Sequence, residues 1–406
     1  MPADNSGSAC DDDGDLGAYR SLLECLEAVP EPRHRCGIRH RIAVVLAFAV
    51  AAVLAGCDSV TAVTEWAADA PPQVLQALGA RTGRRGLRVP PSESTFRRVL
   101  RLLDAQAVAA AFGTWLNGQV LAGIADAATL IIALDGKTVR GAKAKDGKAP
   151  HLLAAMICGA RAVLAQRDVD QKTNEITQVK PLLADVDITG ALVTADALHV
   201  QKDTARHLVE DKRADYLFTA VKDNQPALFA ALDALDWENA PVAHTARDRG
   251  HGRDETRTLQ VLPAPEGVFP HAAQAFLIER TVRDPHTGDL RSAVAALGIT
   301  SRSRKRGGTP EVITAAARGH WDIEALHHVR DVTMREDAQR LRAGTSAQVM
   351  ATLRNTAVAV LRLAGFTGTA PADAGPHATP SGPSQPSVSH SENDQSPDLS
   401  AERTPA

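Results

Sequence analysis

The sequence is poor in aromatic residues and has no paired cysteine motif, and each shortage excludes a class of protein. Phe, Trp and Tyr make up 3% of the 406 residues, which disfavours a single-strand binder that stacks bases on aromatic platforms. The five cysteines are odd in number and form no CxxC, which argues against a disulfide framework or a zinc ribbon. With no secretory signal at the start, we expect a cytoplasmic protein.

Long hydrophobic runs are also missing. The longest apolar run, Ile42–Cys57, covers 16 residues and is rich in Ala, whereas a membrane span needs about 20. This run predicts a buried helix, with a membrane segment as the alternative. We therefore expect no membrane partner.

A net positive charge is absent as well. The formal charge of −3 would by itself disfavour a DNA-binding protein. However, residues 1–15 carry a net −5 and residues 367–406 a net −4, which leaves +6 for residues 16–366. Because binding to a polyanion depends on local patches, DNA binding stays open.

The densest basic patch covers residues 81–101, with seven Arg and one acid. Such a cluster is often a solvated face, but beside a helical domain it predicts a surface that recognises DNA ends, mostly through phosphates. The residues expected to bind DNA there are Arg84, Arg85, Arg88, Arg97 and Arg98.

Composition and periodicity divide the chain into four parts. Residues 1–17 predict a disordered acidic head, and residues 367–406, with seven Pro and seven Ser, predict a disordered tail. Residues 18–118 predict an all-helical domain. Its expected helices are Tyr19–Ala28, His40–Ala55, Ser59–Ala68 and Pro91–Leu103, the last with Ser92 as N-cap.

A different rhythm begins near residue 129, where strands alternate with helices and predict an α/β sheet. TLIIALD predicts a buried strand that ends at Asp135, and ALVTADA predicts one that ends at Asp196. HLLAAMICG and ARAVLAQRDV predict a hairpin. Residues 237–300 are less regular, with several short β-like runs. Helices are expected from Thr309 to about Val332 and over Ser346–Leu363.

Two acids at strand ends and one on a helix form the candidate site. Carboxylates at strand ends of an α/β sheet point into the crevice where ligands bind, which suggests Asp135 and Asp196. Glu324, on the long helix, would be a third ligand. Each has a structural alternative: Asp-Gly is a common turn, Asp196 is a possible helix cap, and Glu on a helix is usually solvated.

These segments together resemble the DDE-type insertion-sequence transposases of the H-repeat-associated kind. The resemblance covers residues 18–365 and rests on motifs in the same order, including LDGKTVRGA, KTNEI, VTADALHVQ, VKDNQPAL, HGRDETR and GHWDIEALHHVRDVTMREDAQRLR. It implies a ribonuclease-H-like catalytic domain over residues 125–365, with a β-rich insertion at about 237–308. The resemblance also places the catalytic, metal-binding acids at Asp135, Asp196 and Glu324.

The implied chemistry is DNA strand cleavage and transfer with two Mg²⁺ ions, for which Mn²⁺ can substitute. Two such ions activate the nucleophile and stabilise the leaving oxygen. The implied partner is double-stranded DNA, bound by a homodimer. The residues expected to contact DNA near the acids are Lys137, Arg140, Lys143, His320, Trp321 and His327.

Two of these side chains have other interpretations. Trp321 is expected mainly to pack in the core, with DNA contact as the alternative. The histidines around Glu324 could imitate a zinc site, but no HExxH is present and a catalytic zinc needs a fixed set of three ligands. Glu175, in KTNEI, is expected to be structural.

Four positions depart from the family pattern and support a second function. Ala325 stands where the family usually has Asn, and His328 where it usually has Trp. Arg330 replaces an apolar residue, and Asp223 replaces a glycine. The alternative is therefore a catalytically impaired transposase that only binds DNA.

Overall fold

The computed structural model describes residues 22–122, 130–144, 147–169, 175–219, 225–250 and 252–366. The predicted acidic head and Pro/Ser-rich tail lie outside the described residues, as do Asp223 and most of KTNEI. Residues 22–27 are helical. The helices that follow are α1 (Ile42–Leu54), α2 (Val60–Asp69), α3 (Pro72–Ala77), α4 (Glu93–Leu102), α5 (Ala105–Ala122), α6 (Glu175–Leu183), α7 (Lys202–Arg206), α8 (Pro226–Asp233), α9 (Pro310–Gly319), α10 (Trp321–His328) and α11 (Ser346–Leu363).

Two sheets accompany these helices. Their strands are β1 (Arg81–Thr82), β2 (Arg88–Val89), β3 (Ile131–Thr138), β4 (His151–Ile157), β5 (Ala162–Val169), β6 (Leu192–Ala195), β7 (Asp215–Phe218), β8 (Val242–Gly250), β9 (Arg253–Pro263), β10 (Gln274–Arg283) and β11 (Leu290–Thr300).

The apolar run near the N-terminus is the core helix α1. Ten of its 13 residues are buried, as expected of a helix that is hydrophobic on every side. It packs against α2, α4 and α11. Among the described residues, no single helix is long and apolar enough to cross a membrane; α4 with residues 105–120 reaches that composition only as a pair bent by 97°.

The N-terminal region is mostly helical, but the expectation of an all-helical domain is wrong. The basic loop folds into a small antiparallel ladder, in which Arg81 pairs with Val89 and Thr82 with Arg88. The ladder reverses through Gly86, whose φ of +75° suits glycine. Ser92 is the N-cap of α4 as predicted, but its hydroxyl contacts Ser94 and Thr95 instead of a backbone N–H.

A mixed nine-stranded sheet, with its strands in the order β5-β4-β3-β6-β7-β11-β10-β9-β8, is the centre of the rest of the fold. Strands β3, β6 and β7 are parallel, whereas β4 and β5 form the predicted antiparallel hairpin beside β3. The predicted α/β sheet is therefore present. α11 has the predicted bounds, and α9 begins at the predicted N-cap, where Thr309 Oγ1 accepts from the Val312 N–H.

Residues 237–300 are more regular than the sequence suggested. They form four antiparallel strands, β8 to β11, and β9 and β11 have 11 residues each. β11 joins them to β7 through two residue pairs, Ile299 with Phe218 and Thr300 with Leu217. Much of β8 and β11 is exposed, so neither strand shows the clear apolar pattern of a buried strand in the sequence.

The Asp-Gly dipeptide at 135–136 does not form a turn, and the strand does not end at Asp135. β3 continues to Thr138, and Gly136 pairs with Leu153 of β4. A Cβ at Gly136 would lie 2.6 Å from His151 Nε2 and 2.7 Å from Glu175 Cδ. The glycine is needed for space beside two buried polar side chains.

Candidate active site

Asp135 and Asp196 lie side by side on neighbouring parallel strands. Leu134 of β3 pairs with Ala195 of β6. The residues that follow them, Asp135 and Asp196, therefore lie at the same level along the two strands. Parallel neighbours are about 4.8 Å apart, which places the two acids next to each other. Their surroundings differ because β6 ends at Ala195, just before Asp196, whereas β3 continues past Asp135 beside β4.

Asp135 is held by two hydrogen-bonding groups. Its Oδ1 accepts from the Gly136 N–H at 2.8 Å, and His327 Nδ1 lies 3.3 Å from its Oδ2. Burial acts to raise the pKa of Asp135, but His327 and the Gly136 N–H together hold that pKa below its usual value. Asp135 is therefore ionised, with one oxygen facing an imidazole.

Asp196 combines the two roles that its sequence position left open. Its side chain accepts from the Leu198 N–H at 3.0 Å and caps the short 3₁₀ turn Ala197–His199. The side chain is exposed, so the cap leaves carboxylate oxygen accessible at the sheet edge.

Glu324 faces these two acids from α10. Its pKa is raised, mainly by burial and further by the negative charges of Asp135 and Asp196. The three carboxylates therefore repel one another across one crevice. Within the described ranges, however, no group of three or more His, Cys, Asp or Glu side chains is arranged to hold a metal ion.

The donor chemistry at this crevice nevertheless suits a hard cation. Mg²⁺ prefers oxygen ligands, keeps several waters and often takes only one or two protein carboxylates. Asp135 and Asp196 supply such carboxylates on adjacent strands. Their mutual repulsion with Glu324 would be relieved by a cation between them.

His320 and His327 flank Glu324 on successive turns. His320 Nδ1 lies 3.2 Å from Thr194 Oγ1 in β6. The pKa of each imidazole is lowered, chiefly by burial, although the charge of Asp135 acts in the opposite direction on both. Two imidazoles that favour the neutral form thus connect α10 to the strands that carry the acids.

Trp321 does not pack in the core, so that expectation is wrong. Its side chain is 57% exposed because it lies on the outward face of α10. It borders a cavity of about 320 Å³ between α9 and the inserted strands, with Arg257, Arg280 and Arg318 in its lining. Glu255 pairs with Arg257 at 2.6 Å and with Arg280 at 2.7 Å.

The cations that follow Asp135 differ in their surroundings. Lys137 is buried, and its Nζ is 2.5 Å from Asp331 Oδ2. This ion pair contradicts the expectation of a lysine free to meet phosphate. Arg140 and Lys143 are exposed after the end of β3 and remain available to an anion.

Behind Gly136 lies a buried polar cluster that the sequence did not reveal. Glu175 Oε1 is 2.6 Å from His151 Nε2, and its Oε2 is 3.4 Å from His199 Nε2. His151 Nδ1 in turn lies 2.8 Å from Thr138 Oγ1. His199 belongs to the turn that Asp196 caps, so this cluster connects the Asp196 turn to β3 and β4. Burial opposes ionisation of Glu175, but the two histidines lower its pKa to about 2.

Arg330, one of the departures from the family pattern, has a structural explanation. Its guanidinium donates to Glu336 Oε2 at 2.7 Å, and Arg354 donates to Glu336 Oε1 at 3.0 Å. All three side chains are buried. Arg330 therefore belongs to a buried ion triad that begins in the π-helical turn Val329–Thr333, which accounts for a charged residue at this position.

The N-terminal arginines predicted to bind DNA are mostly exposed. Arg84 and Arg85 lie in the turn between β1 and β2, and Arg97 and Arg98 project from α4. Arg88 is different, because it is half-buried and donates to the Ala80 carbonyl at 3.0 Å. That contact closes the ladder and occupies the group expected to meet phosphate.

Comparison with known proteins now adds to this geometry. Residues 23–116 match the family described as DDE_Tnp_1-associated, and residues 126–360 match the transposase DDE domain. The chain is 30% identical to "Putative transposase YncI" of Escherichia coli O157:H7, over 85% of this chain and 88% of that protein. It is 27% identical to "H repeat-associated putative transposase YhhI" of Escherichia coli K12, over 84% and 90% respectively. The chain belongs to the DDE transposases of the H-repeat-associated family.

Proposed function

We propose that this protein is a transposase that binds the ends of an insertion sequence and catalyses metal-dependent cleavage and strand transfer of double-stranded DNA. The observation that carries the proposal is the position of Asp135 and Asp196 side by side on neighbouring parallel strands, with Glu324 electrostatically coupled to both. A mixed sheet with the acids at one edge supports a ribonuclease-H-like catalytic domain over residues 125–365, into which β8–β11 are inserted.

Asp135, Asp196 and Glu324 are the residues that would hold two Mg²⁺ ions, or Mn²⁺ in their place. When bound, the metal activates the attacking hydroxyl or water and stabilises the leaving oxygen. Because Asp135 Oδ2 faces His327 and Asp196 caps its own turn, both carboxylates are already oriented before a ligand arrives.

The remaining residues around the site have two roles. Some would bind the phosphates of the substrate, and others position the helix that carries Glu324. Arg140 and Lys143 are exposed beyond the end of β3, where they would neutralise phosphates next to the reacting one. His320 and His327 fix α10 against β6 and β3 through Thr194 and Asp135. These contacts hold the helix that carries Glu324 in a fixed position relative to Asp135 and Asp196. In this proposal, a homodimer brings two element ends together.

The alternative is a protein of this family that binds DNA without cutting it. The observation in its favour is that, among the described residues, the acids do not form a ready-made metal cage. Ala325 and His328 also remain as departures beside Glu324.

A nicking assay separates the two functions. Purified protein would be incubated with duplex DNA that carries the flanking element ends, in Mg²⁺ or Mn²⁺. Asp135→Asn, Asp196→Asn and Glu324→Gln would be compared with Asp322→Asn, a matched control on the same helix that contacts the Gly159 N–H and Arg161 instead of the acids. We expect each acid variant to bind DNA and to cut about 10²–10³-fold more slowly, while the control still cuts. A wild-type protein that binds but never cuts would support the alternative.

A further inference from the structure

Three neighbouring concavities form one trough between the N-terminal helices and the segment that precedes α11. Their volumes are about 450, 470 and 300 Å³. The first and second share Ser94 and Arg98, while the second and third share Arg97, Arg340 and Leu341. We call this surface the arginine trough, and its exposed cations are Arg39, Arg81, Arg97, Arg98, Arg101, Arg335, Arg340 and Arg342.

The charge of the trough is unbalanced. No carboxylate is among the residues that line the first two concavities. In the third, Asp58 lies 3.4 Å from Arg335. On α4, Glu93 pairs with Arg97 at 2.6 Å, but Arg97 and Arg101 stand one turn apart as like charges. Such a pair destabilises an isolated helix, so the trough favours an anionic ligand.

The two sides of the trough are fixed to each other. Thr345 Oγ1 lies 2.7 Å from the Leu103 carbonyl oxygen, to which it donates, and 3.2 Å from the Leu100 carbonyl oxygen, at the end of α4. Gly344 has a φ of +53°, and a Cβ there would lie 2.1 Å from the Arg101 carbonyl oxygen. Arg340 and Arg342 are therefore held close to the arginines of α4 before any ligand binds.

The other end of this segment is anchored as firmly. Glu336 lies in the buried ion triad with Arg330 and Arg354, and Arg354 also donates to Gln339 Oε1. Residues 340–343 thus run between two fixed points. A rigid array of cations loses less conformational entropy on binding than a flexible one.

We propose that the arginine trough binds the phosphate backbone of double-stranded DNA, with both parts of the chain contributing: α4 and the β1–β2 region on one side and residues 335–342 on the other. The proposal rests on the proposed function and adds to it a second DNA-binding segment that follows the catalytic helix. The length of the trough favours a polyanion over a single phosphate. No aromatic side chain lines the three concavities, which favours backbone contacts to a duplex over stacking of unpaired bases.

The test is duplex binding without cleavage. Fluorescence anisotropy would measure the affinity of the full chain for a labelled duplex in EDTA, over a series of salt concentrations. The variants are Arg340→Ala with Arg342→Ala, and Arg98→Ala with Arg101→Ala. We expect each double variant to bind about tenfold more weakly at low salt and to reduce the slope of log affinity against log salt by about 2.

Two controls make the result specific. Arg304→Ala with Lys305→Ala removes two exposed cations next to Arg306, which pairs with Asp215 at the start of β7, the end of the sheet opposite the acids. This control is expected to bind like the wild type. Arg340→Lys with Arg342→Lys keeps the charge and is expected to restore most of the salt slope. Circular dichroism on every variant verifies that each one folds.

The outcomes separate the two proposals. If the wild type binds duplex and the trough variants bind equally well, the trough is not the binding surface, while the transposase function is unaffected. Tighter binding of the same strand in single-stranded form would also overturn the trough as a duplex site. If the wild type binds no duplex at any salt concentration, both proposals fail.

Discussion

Two groups of charged side chains lie close together in the chain. One combines opposite charges, and the other brings like charges together. Around Glu336, one carboxylate lies between two guanidinium groups, and all three side chains are at most 2% exposed. Around Glu324, three carboxylates face one crevice, and burial together with the charges of Asp135 and Asp196 raises the pKa of that glutamate. Arg330 follows Glu324 by six positions, so one short segment contributes to both groups.

The difference separates a structural group of opposite charges from the group of like charges proposed as the active site. A structural cluster places opposite charges together because an unpaired buried charge is costly. A functional site leaves like charges together and perturbs their pKa values, because a ligand is to complete the arrangement. Lys137 lies between the groups: it pairs with Asp331, helps lower the pKa of Glu336 and acts in the same direction on His327.

The strongest test of the comparison removes the centre of the triad. Glu336→Ala leaves Arg330 and Arg354 buried without their shared partner, so we expect the free energy of unfolding to fall by about 3–5 kcal/mol. Urea denaturation measures the change, with the exposed Glu311→Ala as control. A loss below about 1 kcal/mol would mean that the triad does not behave as a buried cluster.

A second substitution tests the connection between the groups. Lys137→Met removes a buried ammonium and leaves Asp331, which is partly exposed and can be solvated. We expect the free energy of unfolding to fall by about 1.5–3 kcal/mol, the usual range for a hydrogen bond to a charged group. Thermal denaturation followed by circular dichroism provides the measurement. An unchanged melting temperature would show that the pair adds nothing to stability.

The histidine-bound glutamate behind Gly136 predicts a pH effect. Because the pKa of Glu175 is lowered from about 4.5 to about 2, its ionised form stabilises the fold above the unfolded value and this contribution is lost as pH falls through that interval. Glu175→Gln should therefore lose less stability than the wild type between pH 4.5 and 2. Urea midpoints across this range test it, and parallel curves would contradict it.

The smallest expected effect is that of Glu324, whose pKa is shifted in the direction opposite to that of Glu175. The raised pKa of Glu324 means that its ionised form destabilises the fold, so stability is lost as pH rises through the carboxylate range. At pH 7, Glu324→Gln should raise the free energy of unfolding by less than about 1 kcal/mol, because the carboxylate is only partly buried and solvent screens its charge. The two proteins should converge below about pH 4. A variant that is less stable than the wild type at pH 7 would place Glu324 among the structural residues.

Periodic features of the fold were predictable from the sequence, whereas features set by distant contacts were not. The bounds of α11, the capped start of α9 and the β4–β5 hairpin follow from local pattern and turn chemistry. The path of β3 through Asp-Gly was not predictable, because the glycine is required by His151 and Glu175, which are remote in sequence. Arg330 looked like a departure for the same reason: its partners Glu336 and Arg354 meet it only in the folded chain.

The candidate site divides in the same way. The strand and turn around Asp196 were predictable because they form a local pattern, whereas the expected strand end at Asp135 was wrong because β3 continues to Thr138. The exposure of Trp321 and the pairing of Lys137 depend on how α10 and the following π-helical turn lie on the sheet. No single segment contains that information.

Strands β8–β11 meet the rest of the sheet at a narrow joint of two residue pairs between β7 and β11. Helix α9 crosses this joint, because it packs on β8 and β9 on one side and on β3, β6 and β7 on the other. It continues through His320 into α10, where Glu324 lies. The contacts of α9 therefore connect Glu324 to both halves of the sheet, and we expect substitutions at the joint between β7 and β11 to change the position of Glu324 relative to Asp135.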